Sequence, residues 1–206
     1  MQNRIILLFI ASIFILSCKS TIKVSDEYKE EISSYRLSQH KALTEGDDSP
    51  LTVEESDAIN HFLPDPAYRV MADLVMTKDA KPFTISTYSG TQKSYLEYAK
   101  ANFKIKGKSK SLLIYRDLKM IKIPGFNQKL FVMYKDLTNG DSTYGGGRYL
   151  YLDMKDVIDG RVVIDFNKSF NPYCAYSDGY NCPIPPIENH LDIMIRAGEM
   201  DFNRKQ

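Results

Sequence analysis

Residues 68–118, YRVMADLVMTKDAKPFTISTYSGTQKSYLEYAKANFKIKGKSKSLLIYRDL, decide the fold. They contain the runs Tyr68 to Met76, Pro82 to Tyr88, Tyr95 to Lys106 and Ser111 to Leu118, rich in aromatic and aliphatic side chains. Between them stand Lys78-Asp79-Ala80-Lys81, Gly90 and Gly107-Lys108-Ser109-Lys110, which are turn compositions. Runs bounded in this way read as strands. The gaps are too short to hold crossover helices, so successive strands pair antiparallel. The pattern continues outward through Lys129 to Asp136, Arg148 to Asp153, Arg161 to Phe166 and Leu191 to Ala197, with turn residues at Pro124-Gly125, Asn139-Gly140 and Asp159-Gly160. The expected fold is mainly β, α+β by content: an antiparallel β-barrel or sandwich of about eight strands with one or two N-terminal helices.

Upstream of the strands the period changes. Tyr28, Ile32, Tyr35 and Gln39 recur at helical spacing, continued by Ala42 and Leu43, and the stripe ends at Gly46 and Asp47-Asp48-Ser49-Pro50. This predicts an amphipathic helix lying on the domain. Thr52 and Glu55 match a capping box and predict a second helix to about Phe62, beyond which Pro64 and Pro66 forbid continuation.

The first residues have a different purpose. MQNR precedes an apolar run, Ile5 to Leu16, of secretory length and too short to span a bilayer. It ends in Ile15-Leu16-Ser17-Cys18, the form of a lipobox cleaved before its cysteine. The expected organisation is a lipoprotein signal peptide at 1–17, a lipidated tether at 18–24 starting with acylated Cys18, and a single β-rich domain at 25–206. An ordinary signal peptide and an N-terminal anchor helix are the competing readings. The expected location is the bacterial cell envelope, with the membrane as partner through the acyl chains. The chain carries 27 Lys and Arg against 26 Asp and Glu, and cleavage removes Arg4 alone, which leaves the signs equal. That balance gives no basis for nucleic-acid binding.

Unusual chemistry gathers between Tyr144 and Glu199. Gly145-Gly146-Gly147 precedes a strand and not a helix, which favours a bulge or tight hairpin entry over a phosphate cradle. Asp136 to Asp141 resembles a calcium loop superficially, without its twelfth-position Glu or its helices. Arg148 is expected to pair with Asp165 or Glu199, while Asn167 and Asn171 either join a polar cluster or cap turns. Asp165 and Glu199 are the best available acid and base. Cys174 and Cys182 admit three readings: a disulfide worth roughly 2–4 kcal/mol in an oxidising compartment, a metal site with His190, or buried free thiols. Pro183, Pro185 and Pro186 stiffen the following segment, and His40 and His61 read as surface or cap residues. No serine elbow, Walker loop, dinucleotide fingerprint or His-Glu-x-x-His occurs, so no metal or other cofactor is called for.

Three motifs, KDLTNGDSTYGGGRYLYLD from Lys135, VVIDFNKSFNPYCAYSDGYNCPIPP from Val162 and ENHLDIMIRAGE from Glu188, resemble the family called domain of unknown function 1684. The resemblance runs from about Ile32 through Ser49-Pro50-Leu51 to Glu199, with Tyr35-Arg36 standing where the family's helix carries a Trp. It implies a bacterial or archaeal protein, often a lipoprotein, and identifies the motif block without supplying a mechanism.

Three functions follow from these residues. One is a lipid-anchored envelope protein that binds a small-molecule or glycan ligand, small or extended and polar, through Arg148, Asp165, Asn167, Asn171, Tyr176 and Asn189. Another is an envelope hydrolase working through Asp165 and Glu199. The last is a structural envelope protein whose C-terminal block is a folding clasp.

Overall fold

The computed structural model describes residues 24–46 and 48–202. The expected signal peptide, Cys18 and nearly all of the expected tether lie outside the described residues. Helix α1 (Asp26–Thr44) starts at Ser25, whose side chain accepts a hydrogen bond from the Tyr28 backbone, and carries Asp26 and Glu27 in its first turn. Both features stabilise a helix N-terminus. Of the stripe read from the sequence, Tyr28, Ile32 and Leu43 are buried, Tyr35 and Gln39 are half-buried and Ala42 is exposed.

Helix α2 (Val53–Ser56) has the capping box but stops well short of Phe62. Tertiary bonding ends it: Ile59 turns into a small core with Leu43, Leu51 and Tyr176, and the backbone N–H groups of Met200 and Phe62 donate to the carbonyls of Asn60 and Gly198 respectively. A short helix offers less than that cross-chain pairing does.

Seven strands form one antiparallel sheet: β1 (Arg69–Met76), β2 (Phe83–Ser86), β3 (Gln92–Ile105), β4 (Lys108–Asp117), β5 (Lys129–Tyr134), β6 (Arg148–Asp153) and β7 (Arg161–Asp165). Their order is β6-β5-β4-β3-β1-β7, with β2 on the side of β3. The sheet curls into a half-barrel with α1 beside it. Its outer strand β6 is bridged at one point to the segment that follows β7, where Tyr149 and Phe170 exchange backbone hydrogen bonds of 2.8 and 3.0 Å. Between that bridge and the turn leading into β7, strands β6 and β7 part.

The eighth predicted strand does not form. Leu191 to Ala197 is extended but has no continuous ladder, and side chains supply much of its bonding. Arg148 donates to the carbonyls of Ile195 and Ala197, and the Ile195 backbone donates to Asp136. The segment buries Leu191, Ile193, Ile195 and Ala197 against the inner face of the sheet as a plug.

A β-bulge between Glu97 and Ala99 in β3 shifts the register against β4 and reverses which side chains face inward. Beyond it Ala101, Phe103 and Ile105 join the inner core. Before it Tyr95 joins a second, aromatic cluster with Tyr115, Phe131, Met133 and Tyr149 on the opposite face. The sheet is therefore apolar on both sides, which explains why so many tyrosines are buried.

Candidate functional site

The polar residues singled out in the sequence are engaged in several separate groups. Arg148 is fully buried. It pairs with Asp136 at 2.7 Å and not with Asp165 or Glu199, which corrects the predicted partner. Asp136 follows β5 directly, and β5 and β6 are neighbours; this brings the pair together where sequence proximity pointed elsewhere. The other Asp136 oxygen accepts from the Thr138 backbone, the Thr138 hydroxyl and the Ile195 backbone. The calcium-loop resemblance thus has a structural explanation: its first carboxylate is occupied by a guanidinium and a plug.

The asparagines replace missing backbone. Asn189 accepts from the Leu113 N–H at 2.7 Å and donates to the carbonyls of Leu113 and Met133. Only Tyr115 and Phe131 are paired between β4 and β5, so this side chain closes the gap farther along. Asn167 does the same for Asp65, accepting from its N–H and donating to its carbonyl, both at 2.9 Å.

The two candidate acids are separately engaged. Asp165 accepts from the Tyr28 hydroxyl at 2.9 Å and from Asn167, and lies 4.0 Å from Arg69. Glu199 accepts from the Tyr176 hydroxyl at 2.6 Å and from the side chain and backbone of Asn171. Burial pushes the Glu199 carboxyl up to about 7, against the lowering effect of these donors. Both acids are covered, 5% and 2% exposed, and each has its oxygens committed within the protein.

Cys174 and Cys182 form a disulfide, which removes the metal and free-thiol readings. The His190 ring nitrogen lies 3.2 Å from the Pro185 carbonyl, and no metal-holding cluster of His, Cys, Asp or Glu occurs among the described residues. His40 and His61 stack on one another at 5.5 Å. Burial, followed by the charge of Arg36, lowers the His61 pKa to about 3. Gly147 has φ +96° at the entry to β6, and a Cβ there would lie 2.7 Å from the Tyr134 carbonyl oxygen, so the glycine run is a hairpin entry.

Open space lies elsewhere. A cleft of about 1100 Å³ runs along the aromatic face into the gap between β6 and β7, where Leu150, Tyr151 and Leu152 face Val162, Val163 and Lys168. Of the predicted ligand residues only Asp165 and Tyr176 reach it. Its far wall is Tyr35 and Gln39 of α1, and its roof includes Tyr180 of the disulfide loop with Tyr173 and Pro183 beside it. Along its floor the rings of Tyr95, Phe131, Tyr151 and Phe170 succeed one another at 6.2, 5.4 and 5.3 Å. Charged pairs mark its rim, Lys129 with Asp153 at 3.0 Å and Glu31 with Lys168 and Arg69. The signal for this face was present in the alternation Phe131, Met133 and Tyr149, Tyr151, which places them on one side of two strands.

Fold and site together define a curled antiparallel half-barrel, clasped by its own C-terminal segment and carrying an aromatic cleft at its open seam. The chain belongs to the DUF1684 family, described as proteins of unknown function, whose model matches residues 54–200. It is similar to the solution NMR structure of an uncharacterized protein from gene locus rrnAC0354 of Haloarcula marismortui, at 32% identity and a TM-score of 0.66. That likeness covers 84% of this chain and 94% of the other. No curated protein matches it. No described helix is long and apolar enough to cross a membrane.

Proposed function

We propose that the protein is a lipid-anchored cell-envelope protein that binds an extended polar ligand with apolar ring faces in the cleft between β6, β7 and α1. One observation carries this reading: a cleft of about 1100 Å³ floored by a file of aromatic rings and rimmed by charges of both signs. Concave sites combining apolar walls with a few polar groups are the usual form of a ligand pocket. The tyrosines add hydroxyl tips to flat apolar faces, which suits saccharide rings as well as other hydroxylated ring compounds. Arg148, Asn167 and Asn189 support the walls from behind and do not line the cleft.

The test is saturation-transfer NMR on the full chain against a panel of oligosaccharides. Binding by at least one member, lost in Tyr151→Ala with the melting temperature held within a few degrees, is the expected result. A Tyr151→Ala protein that binds as the parent does overturns the placement. Lipid attachment is tested separately: an alkynyl fatty acid should label the parent and not Cys18→Ser, and equal labelling of both removes the anchor.

A further inference from the structure

We infer that the corner of the cleft formed by Lys93, Tyr95 and Asp117 is the subsite for a carboxylate, so that the ligand is an acidic saccharide such as a uronic-acid oligomer. This rests on the cleft reading above and narrows it. Lys93 and Tyr95 are two residues apart on β3, hence on one face, and Tyr95 stands opposite Asp117 on β4. The bulge at Glu97 to Ala99 turns these β3 side chains away from the inner core. All three line the cleft, at the start of the file of rings.

Lys93 and Tyr95 have unused capacity. The Tyr95 hydroxyl is buried and meets the Asp117 carboxylate without reaching normal hydrogen-bond geometry; burial, then the charge of Asp117 and this weak contact, hold its pKa above the ordinary value. A covered donor so weakly partnered is costly, and a ligand oxygen that reaches it recovers part of that cost. Lys93 is partly buried and joins no ion pair among the described residues, and its burial lowers its pKa while Asp117 opposes the shift. One Asp117 oxygen caps the backbone of Lys119 and Met120, and the carboxylate also meets the Tyr95 hydroxyl and the charge of Lys93. With Lys119 nearby, the corner carries one positive charge in excess, which matches a carboxylate better than a doubly charged phosphate. Adjacent ring hydroxyls then meet Tyr95 as donor and Asp117 as acceptor, while the sugar faces lie along Phe131 and Tyr151.

The experiment is calorimetric titration of the full chain with a glucuronate-containing disaccharide and its neutral counterpart, on the parent, Lys93→Met and Tyr95→Phe. The expected result is about tenfold tighter binding of the acidic sugar, a preference abolished in Lys93→Met. Tyr95→Phe should bind the acidic sugar several-fold more weakly while melting no lower than the parent. Equal affinities for the two sugars, or a preference that survives Lys93→Met, overturns the carboxylate subsite and leaves the cleft reading standing. Displacement of the acidic sugar by equimolar inorganic phosphate overturns it too. Binding of neither sugar overturns it, and binding of no saccharide at all removes the saccharide reading of the cleft with it.

Discussion

At the scale of single residues, the unusual side chains of the C-terminal block are mostly substitutes for backbone. Arg148 and Asp136 are a buried pair with nearly all their valences used, and removing one partner strands the other. Arg148→Met is expected to cost about 3–5 kcal/mol in urea unfolding, with Asp136→Asn recovering part of it in the double variant. Glu199 bears on pH. Its folded pKa lies above its unfolded one, so the native state holds the extra proton between about 4.5 and 7. The stability tied to that proton is complete below the unfolded pKa and is lost as pH rises through 7. His61 has the opposite slope, lowered in the fold and losing stability as pH falls below about 6.5, so the parent's own curve partly cancels. The difference between parent and Glu199→Gln isolates the acid: the parent's relative stability should fall by about 3 kcal/mol from pH 4 to pH 8. A constant difference would mean that Glu199 titrates alike in the folded and unfolded chain. Residue types announced a buried polar network here. They did not announce partners, because Arg148 lies close in sequence to Asp136 and Asp165 alike and only strand pairing chooses between them.

At the scale of elements, each expectation that failed did so where tertiary bonding outweighed local preference. Leu191 to Ala197 has a strand's composition, yet a side chain of β6 and a carboxylate after β5 take its backbone groups and hold it as a plug. Gly198 marks its end: φ is +76°, and a Cβ would lie 2.6 Å from the Ser169 carbonyl oxygen. Gly198→Ala should therefore destabilise by about 2–4 kcal/mol, measured by thermal unfolding, whereas Gly179→Ala, with open space at its Cβ, should show only the smaller cost of its positive φ. The disulfide loop is a second such element. Reduction of Cys174 and Cys182 should lower stability by about 2–3 kcal/mol, and two thiols titrating freely without reductant would contradict the bond. The bulge in β3 left no mark in composition. It matters because it sends Lys93 and Tyr95 to the cleft.

At the scale of the whole molecule, the half-barrel stays open between β6 and β7, and α1 walls the opening. The helix is tied there by the Tyr28 hydroxyl on Asp165 and by Ile32 in the interior. Tyr28→Phe should cost about 1–2 kcal/mol, and hydrogen exchange should quicken in α1 while the sheet amides stay protected. Uniform quickening would show that helix and sheet open together. From the sequence alone came the β-rich class, seven of the strands, the amphipathic helix with its inward face, the family's motif block and the cysteine pair as one of three choices. These depend on short-range periodicity and turn chemistry, which the order of residues encodes directly. The tertiary structure alone decided that the polar block is a clasp, that β6 and β7 part, and that the cleft lies on the aromatic face. Those outcomes depend on which distant segments meet, and side chains such as Arg148 and Asn189 look the same whether they will bind a ligand or a neighbouring strand.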